Sequence, residues 1–280
     1  FLRVLSVCSG YGGLDLGISL ALRGRSRAVA FVERDARAQA ALLARMEEAA
    51  LDPAPVFGDL SEFDGQRFRG SVDLVAAGIP CQGHSAAGSR QGASDGRNLW
   101  PDLRDILDDC HAPLLFLENV RGEPVRGGFL AGLLAELAAL GFDAEWACLR
   151  AADVGAPHQR ERFWLVAADR QRLREWRVPD AVCDALRLQP ERGQGCPQAP
   201  DKWDAEPGVM GQDLWPPGPS DFDAWDRVPA EAQPAIRGRA DGSSPRLDEC
   251  DRFRLCGNGV VPLQAALAFR SLARRLLRMA

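Results

Sequence analysis

Short apolar runs alternate with helical patterns through the first 168 residues. Arg3 to Val7, Ala28 to Glu33, Leu74 to Ala77, Leu114 to Leu117, Ala144 to Leu149 and Phe163 to Ala167 read as strands, and Pro55 to Phe57 as a short further one. Leu14 to Leu22, Ala36 to Ala50, Leu99 to Cys110 and Phe129 to Leu140 read as helices. Pro101 fits the first turn of its helix, where its missing N–H costs nothing. Gly141 closes the helix before it. Strands alternating with helices predict a doubly wound, mostly parallel α/β sheet.

The pattern changes after about Arg170. Leu173 to Leu188 reads as one helix broken by Pro179, and Pro190 to Pro245 is rich in Pro, Gly, Asp and Trp with little periodicity. That stretch is a small irregular second domain or a long elaborated loop region, with Trp203, Trp215 and Trp225 available for a compact core. Order resumes at Cys256 to Pro262, followed by a helix from Leu263 to Met279. Its apolar positions Leu263, Leu267, Leu272 and Leu276 predict packing on the first domain. The expected division is 1–168 plus 256–280 for the larger domain and 169–255 for the smaller.

The chain has 280 residues, 46% of them hydrophobic, enough for a sizeable core. There is no run of 18 apolar residues, so no membrane span is expected. Phe1 to Val7 reads as a strand rather than a signal peptide. Eight cysteines without a C-x-x-C pair, beside three histidines, argue against a zinc cluster and fit a reducing intracellular setting. The net charge of −5 argues mildly against a polyanionic partner. The charge is uneven, however. Arg150 to Arg177 holds seven arginines against four acids, and Asp201 to Asp226 holds seven acids against one lysine.

Several residues carry candidate chemistry. Cys81 lies in Gly78-Ile79-Pro80-Cys81-Gln82-Gly83, directly after an apolar strand, which suits a nucleophile held on a tight loop. The other reading is a small core cysteine. The polar, glycine-containing segment from Gln82 to Gly92 is suited to closing over a substrate. Gly10-Tyr11-Gly12-Gly13 follows a strand and opens a helix, but Asp15 breaks the G-x-G-x-x-G dinucleotide fingerprint. A cofactor without pyrophosphate suits it better; the alternative is a turn without a ligand. Glu33 is placed to accept from ribose hydroxyls, or is a solvated strand-end acid. Asp59 is a candidate acceptor for an adenine amine, or a turn residue. Glu118 ends its strand at the same carboxyl edge as Cys81, Glu33 and Gly10, and Asn119 beside it is a candidate for holding the loop. In His158-Gln159-Arg160-Glu161-Arg162, strand alternation puts Arg160 and Arg162 on one side, as a clamp for an anion or a base edge or as a charged strand edge.

Taken in order and spacing, these stretches resemble the DNA (cytosine-5) methyltransferases: Ser9 to Gly13, Glu33, Gly58-Asp59, Gly78 to Gln82, Glu118-Asn119-Val120, Pro157 to Arg162 and Gly257 to Pro262. The resemblance implies a Rossmann-like methyltransferase sheet using S-adenosylmethionine, with S-adenosylhomocysteine as product. It implies that Cys81 attacks C6 of a flipped cytosine, Glu118 contacts N3 and the exocyclic amine, Arg162 holds the base near O2 and Arg160 supports the catalytic loop. It implies a cofactor pocket lined by Cys8, Gly10, Tyr11, Gly12, Gly13, Glu33, Arg34, Asp59, Leu60, Gly78, Pro80, Leu99, Asn258 and Val260. Cys8 stands where an aromatic commonly packs on the cofactor. The implied partner is double-stranded DNA, read through residues 169–255 with Arg227, Arg237, Arg239 and Arg246 as candidates. No metal is implied. The expected enzyme is a monomeric, cytoplasmic one of bacterial or phage origin, of the restriction-modification kind. A transfer-RNA cytosine-5 methyltransferase, a catalytically inactive nucleic-acid-binding relative and a nicotinamide-dependent oxidoreductase are the alternatives.

Overall fold

The computed structural model describes residues 1–79, 98–120, 129–176 and 258–278. In chain order they form β1 (Leu2–Val7), α1 (Gly13–Ala21), β2 (Ser26–Val32), α2 (Ala36–Glu47), β3 (Val56–Phe57), β4 (Leu74–Ala77), α3 (Trp100–Asp109), β5 (Leu114–Val120), α4 (Phe129–Ala139), β6 (Phe142–Leu149), β7 (Arg162–Asp169), α5 (Arg170–Glu175) and α6 (Pro262–Arg278). The strands make one seven-stranded sheet in the order β3-β2-β1-β4-β5-β7-β6. The first five are parallel, and β7 runs antiparallel to both of its neighbours. The expected α/β fold is the observed one.

Local signals explain most boundaries. Asp35 caps α2 by accepting from the Arg37 and Ala38 amides, and Asp169 caps α5 by accepting from those of Gln171 and Arg172. Pro101 sits in the first turn of α3. Residues of β4 and β5 are buried on both sides of the strand, which is why their sequences read as continuous apolar runs. One face of the sheet carries Leu2, Val4, Phe116 and Trp164 against Ile18 of α1 and Phe269 and Leu272 of α6. The other carries Leu5, Val7, Leu115 and Phe163 against Leu103 and Leu107 of α3 and Leu133 and Leu137 of α4.

The expected helix from Leu173 to Leu188 is corrected over its described part, 173–176. The helix starts at Arg170 and stops at Trp176, whose backbone is extended; residues beyond 176 lie outside the described set. Arg172 explains the early start. It is buried, pairs with Asp169 at 2.9 Å and donates to the carbonyls of Leu107 and Ala112. A buried charge with such partners leaves no trace in apolar periodicity.

α6 docks as its apolar positions predict, with Leu267, Leu272 and Leu276 buried and Leu263 half-buried. Glycine sets how close it comes to α1. A Cβ on Gly17 would lie 2.5 Å from Ala265 Cβ and 2.8 Å from the Pro262 carbonyl oxygen. Phe269 anchors the helix edge-on to Phe116, with ring centroids 5.1 Å apart. Phe269→Ala is expected to lower unfolding free energy by about 3–5 kcal/mol, measured as the urea midpoint followed by circular dichroism.

Candidate active site

Parallel register gathers the predicted residues into one row. Val7 pairs with Val32 on one side and Ala77 on the other, and Ala77 pairs with Leu117. The next residue on each strand is therefore Glu33, Cys8, Gly78 and Glu118, side by side at the carboxyl edge of the sheet. Ligands of open α/β sheets bind at this edge. A Cβ on Gly78 would sit 3.6 Å from the Cys8 carbonyl oxygen and 3.7 Å from Glu118 Oε2. Position 78 thus lies in van der Waals reach of both neighbouring strands' last residues.

Glu33 is pinned by backbone amides. Its Oε2 accepts from Gly10 N–H and its Oε1 from Asp35 N–H, both at 2.8 Å. Each oxygen keeps acceptor capacity beyond those bonds. Gly10 has a positive φ of 55°, and the space its Cβ would take is open for at least 4 Å. The N-cap of α1 is Gly12, which has no side chain to bond the first-turn N–H groups. Asp59 caps the short 3-10 turn Leu60–Glu62 through Oδ1, accepting from the Ser61 amide and hydroxyl, bonds that hold its carboxyl below the usual range. Leu60 and Ile79 belong to one apolar cluster, and Cys8 and Leu99 pack against it. Burial, then Glu33, pushes the Cys8 thiol up to about 12 against the pull of Arg34, so it stays protonated.

Gly12 and Gly13 meet protein. A Cβ on Gly12 would lie 2.4 Å from Leu51 Cδ1, and one on Gly13 would lie 2.6 Å from the Val260 carbonyl oxygen. The Tyr11 hydroxyl donates to that same carbonyl at 3.0 Å, under the Arg45 guanidinium. The Tyr11 ring fills the space a Gly259 side chain would need. These residues join the start of α1 to the lead-in of α6. Asn258 is exposed and Val260 half-buried there.

Glu118 pairs with Arg162 Nε at 3.0 Å, and both side chains are largely buried. The antiparallel register sets Glu118 opposite Trp164, so Arg162 is its diagonal neighbour on the same face. Burial pushes the Glu118 carboxyl up to about 7, with Arg162 and then Arg160 pulling it back. Asn119 is buried, and its Oδ1 accepts from the Val120 amide at 2.7 Å.

The strand alternation expected for Arg160 and Arg162 is corrected. β7 begins at Arg162, and Arg160 precedes it with a φ of 24°. The two guanidiniums are not a parallel clamp. Arg162 turns to Glu118 and to the Glu161 carbonyl, and Arg160 donates to the Gly259 carbonyl. Gln264 was missed by sequence reasoning. It is buried and donates to the carbonyls of Leu149 and Arg160, and its only sequence signal is a polar residue on an apolar helix face. Pro80, Cys81 and the segment through Arg97 lie outside the described residues, as do 177–257 with their candidate DNA-reading arginines. Among the described residues no group of three or more His, Cys, Asp or Glu is arranged to hold a metal, and no helix is long and apolar enough to cross a membrane.

The family model for C-5 cytosine-specific DNA methylases matches residues 2–188. The chain belongs to that family. It is 38% identical over 168 residues to the Type II methyltransferase M.NaeI of Lentzea aerocolonigenes, covering 59% of this chain and 40% of that one. It is 34% identical over 166 residues to M.CviJI of Paramecium bursaria Chlorella virus IL3A, covering 59% and 42%. Thus the chain spans less than half the length of these two relatives. Among solved structures, the Entamoeba histolytica methyltransferase EhMeth has the same fold, with a TM-score of 0.51 at 16% identity over 60% of this chain and 52% of that one. A putative DNA modification methyltransferase encoded within an E. coli prophage aligns with a TM-score of 0.50 at 21% identity, over 64% and 49%.

Two expectations follow. Asp15, buried in α1 and bonded to the Ser6 hydroxyl at 2.8 Å, is pushed up to about 7 by burial, as Glu118 is. Both hold a proton in the folded chain that the unfolded chain releases near pH 4, so their contribution to stability is complete at low pH and is lost as pH rises to about 7. Unfolding free energy should fall from about pH 5 to 7, and Asp15→Asn and Glu118→Gln should each flatten part of that slope in urea titrations. Separately, Gly259→Ala should cost about 1–3 kcal/mol by overpacking against Tyr11, and adding Tyr11→Ala should relieve that clash in the same assay.

Proposed function

We propose that the chain transfers a methyl group from S-adenosylmethionine to C5 of cytosine in double-stranded DNA, through a covalent bond between Cys81 Sγ and C6 of a base turned out of the duplex. The supporting observation is the row at the carboxyl edge, where Glu118, a buried carboxyl pushed up to about 7, stands beside Gly78 and Cys8. Cys81 follows Gly78 by three residues. Three residues reach at most about 11 Å, so the chain itself ties the thiol to this edge.

The residues present fit the cofactor. Glu33 offers fixed carboxylate oxygens for ribose hydroxyls and Gly10 leaves open space. The Asp59 carboxylate suits an adenine amine, with Arg34 close enough to influence it electrostatically. Cys8, Leu60 and Leu99 supply an apolar wall, and Pro80, Asn258 and Val260 complete the proposed set. Gly12 and Gly13 hold the loop by letting it pack on Leu51 and Val260. When bound, S-adenosylmethionine supplies an electrophilic methyl group.

The chain's residues then act on the base. The Cys81 thiolate adds to C6 while the Glu118 carboxyl gives its proton to N3, and the electron pair displaced from C5=C6 makes C5 nucleophilic. Arg162, paired with Glu118, keeps that carboxylate oriented; in this reading it also holds the base near O2, with Arg160 in support. After C5 is methylated, a water molecule takes the C5 proton, the C–H electron pair restores the C5=C6 double bond and the Cys81 thiolate leaves. Glu118 takes back the N3 proton. Turning the base out costs a few kcal/mol, met by contacts to the distorted duplex.

The test is methylation of mixed-sequence duplex DNA with base-resolved mapping of 5-methylcytosine, run beside transfer RNA. Cys81→Ser should abolish product and the covalent complex with 5-fluorocytosine DNA. Glu118→Gln should slow turnover about 100-fold or more, with cofactor affinity by calorimetry little changed. Product from the Cys81→Ser chain would overturn the mechanism, and methylation of transfer RNA alone would overturn the substrate.

A further inference from the structure

Gln264 lies in the first turn of α6 and is wholly buried. Its Nε2 donates to the Leu149 carbonyl at 2.8 Å and to the Arg160 carbonyl at 3.0 Å. Leu149 ends β6 and pairs in register with Arg162, which starts β7. One carboxamide therefore clasps both sides of the neck of loop 150–161. Arg160 needs such a clasp. Its φ of 24° lies outside the regions that side-chain-bearing residues favour, and strain of this kind persists only where the surroundings over-determine it. Further hold comes from the Ala151 amide, which donates to the carbonyls of Gln159 at 2.8 Å and Arg160 at 3.3 Å, and from the Arg160 guanidinium on the Gly259 carbonyl.

The chemistry of the amide argues for this role. Only its NH2 end can meet two carbonyls, so its orientation is settled. Gln264 Oε1 is then buried without a hydrogen-bond partner. A methionine or leucine would fill the space without that penalty, so packing does not account for an amide here. What the amide adds is two donors to two backbone oxygens.

We infer that Gln264 is a positioning residue: through the Leu149 and Arg160 carbonyls it holds loop 150–161 so that the Arg160 guanidinium keeps its place on the Gly259 carbonyl. This rests on the reading of Arg160 as part of the reacting site. The coupling has an electrostatic counterpart, since Arg160 helps pull the Glu118 carboxyl down.

Gln264→Met keeps length and volume and removes both donors. Amide hydrogen exchange over residues 150–161 should speed up about tenfold or more, while exchange in β1 and β4 stays as it was. Turnover on duplex DNA should fall about 10- to 100-fold, with the KM for S-adenosylmethionine within about twofold of the parent. Placed on top of Arg160→Met, the substitution should add no further loss. Unchanged exchange in the loop, or an equal further loss in the Arg160→Met background, overturns the assignment. Should the methionine chain fail to fold, Gln264→Glu retains one donor while protonated. The ratio of loop exchange in that variant to loop exchange in the parent at the same pH should then rise as that carboxyl ionises between about pH 5 and 8, and a ratio indifferent to pH overturns the assignment. A parent chain that methylates no cytosine defeats the functional reading, while loop exchange still decides whether Gln264 holds the loop.

Discussion

The close approach of α1 and α6 is the constraint on which the rest of the structure depends. Three glycines permit it: Gly13 against the Val260 carbonyl, Gly17 against Ala265, and Gly259 against the Tyr11 ring. Side chains there would push the helices apart. The lead-in to α6 would move with them, and with it the Gly259 carbonyl that receives Arg160 and the amide of Gln264 that clasps the loop neck. The glycine-rich turn thus serves two ends. Gly10 leaves open space at the sheet edge, while Gly12 and Gly13 bind the first helix to protein on its other side.

Charge is handled in the same economical manner. Glu118 is deep enough for burial to favour its neutral form, and Arg162 is near enough to keep that preference moderate. The outcome is a carboxyl balanced near neutrality, able to give a proton and take it back. Cys8, one strand over from Gly78, is driven the opposite way from a reactive thiol. The edge therefore holds one thiol that burial silences, and the loop after Gly78 carries another, Cys81, whose sequence setting suits a nucleophile.

Much of the fold was legible because local rules and packing agree. β4 and β5 read as continuous apolar runs since they are covered on both faces, and α3 accepted Pro101 where its missing amide is harmless. The row of Glu33, Cys8, Gly78 and Glu118 follows once the strands are parallel and in register. What escaped was non-local. Nothing in the run Phe163 to Ala167 says that its strand reverses and inserts beside β5, because a long loop separates it from β6 and no tight-turn signal marks the hairpin. The helix at 170–175 was displaced in the reading because a buried Arg172 is held by carbonyls and Asp169, not by apolar spacing. The left-handed backbone of Arg160 defeated the alternation argument. Tyr11 and Val260 meet across 249 positions of sequence, a contact that no local pattern announces.

That separation has a consequence for synthesis. Closing so long a loop is entropically costly and slow, and a ribosome delivers the sheet before it delivers α6. Until residues 258–278 emerge, the face formed by Leu2, Val4, Phe116 and Trp164 lacks the part of its cover that α6 provides, and the loop neck lacks its clasp. A nascent chain of this protein therefore passes through a stage in which the sheet strands are complete but this apolar face is covered by α1 without α6. That stage is the one in which chaperones would find the most to bind.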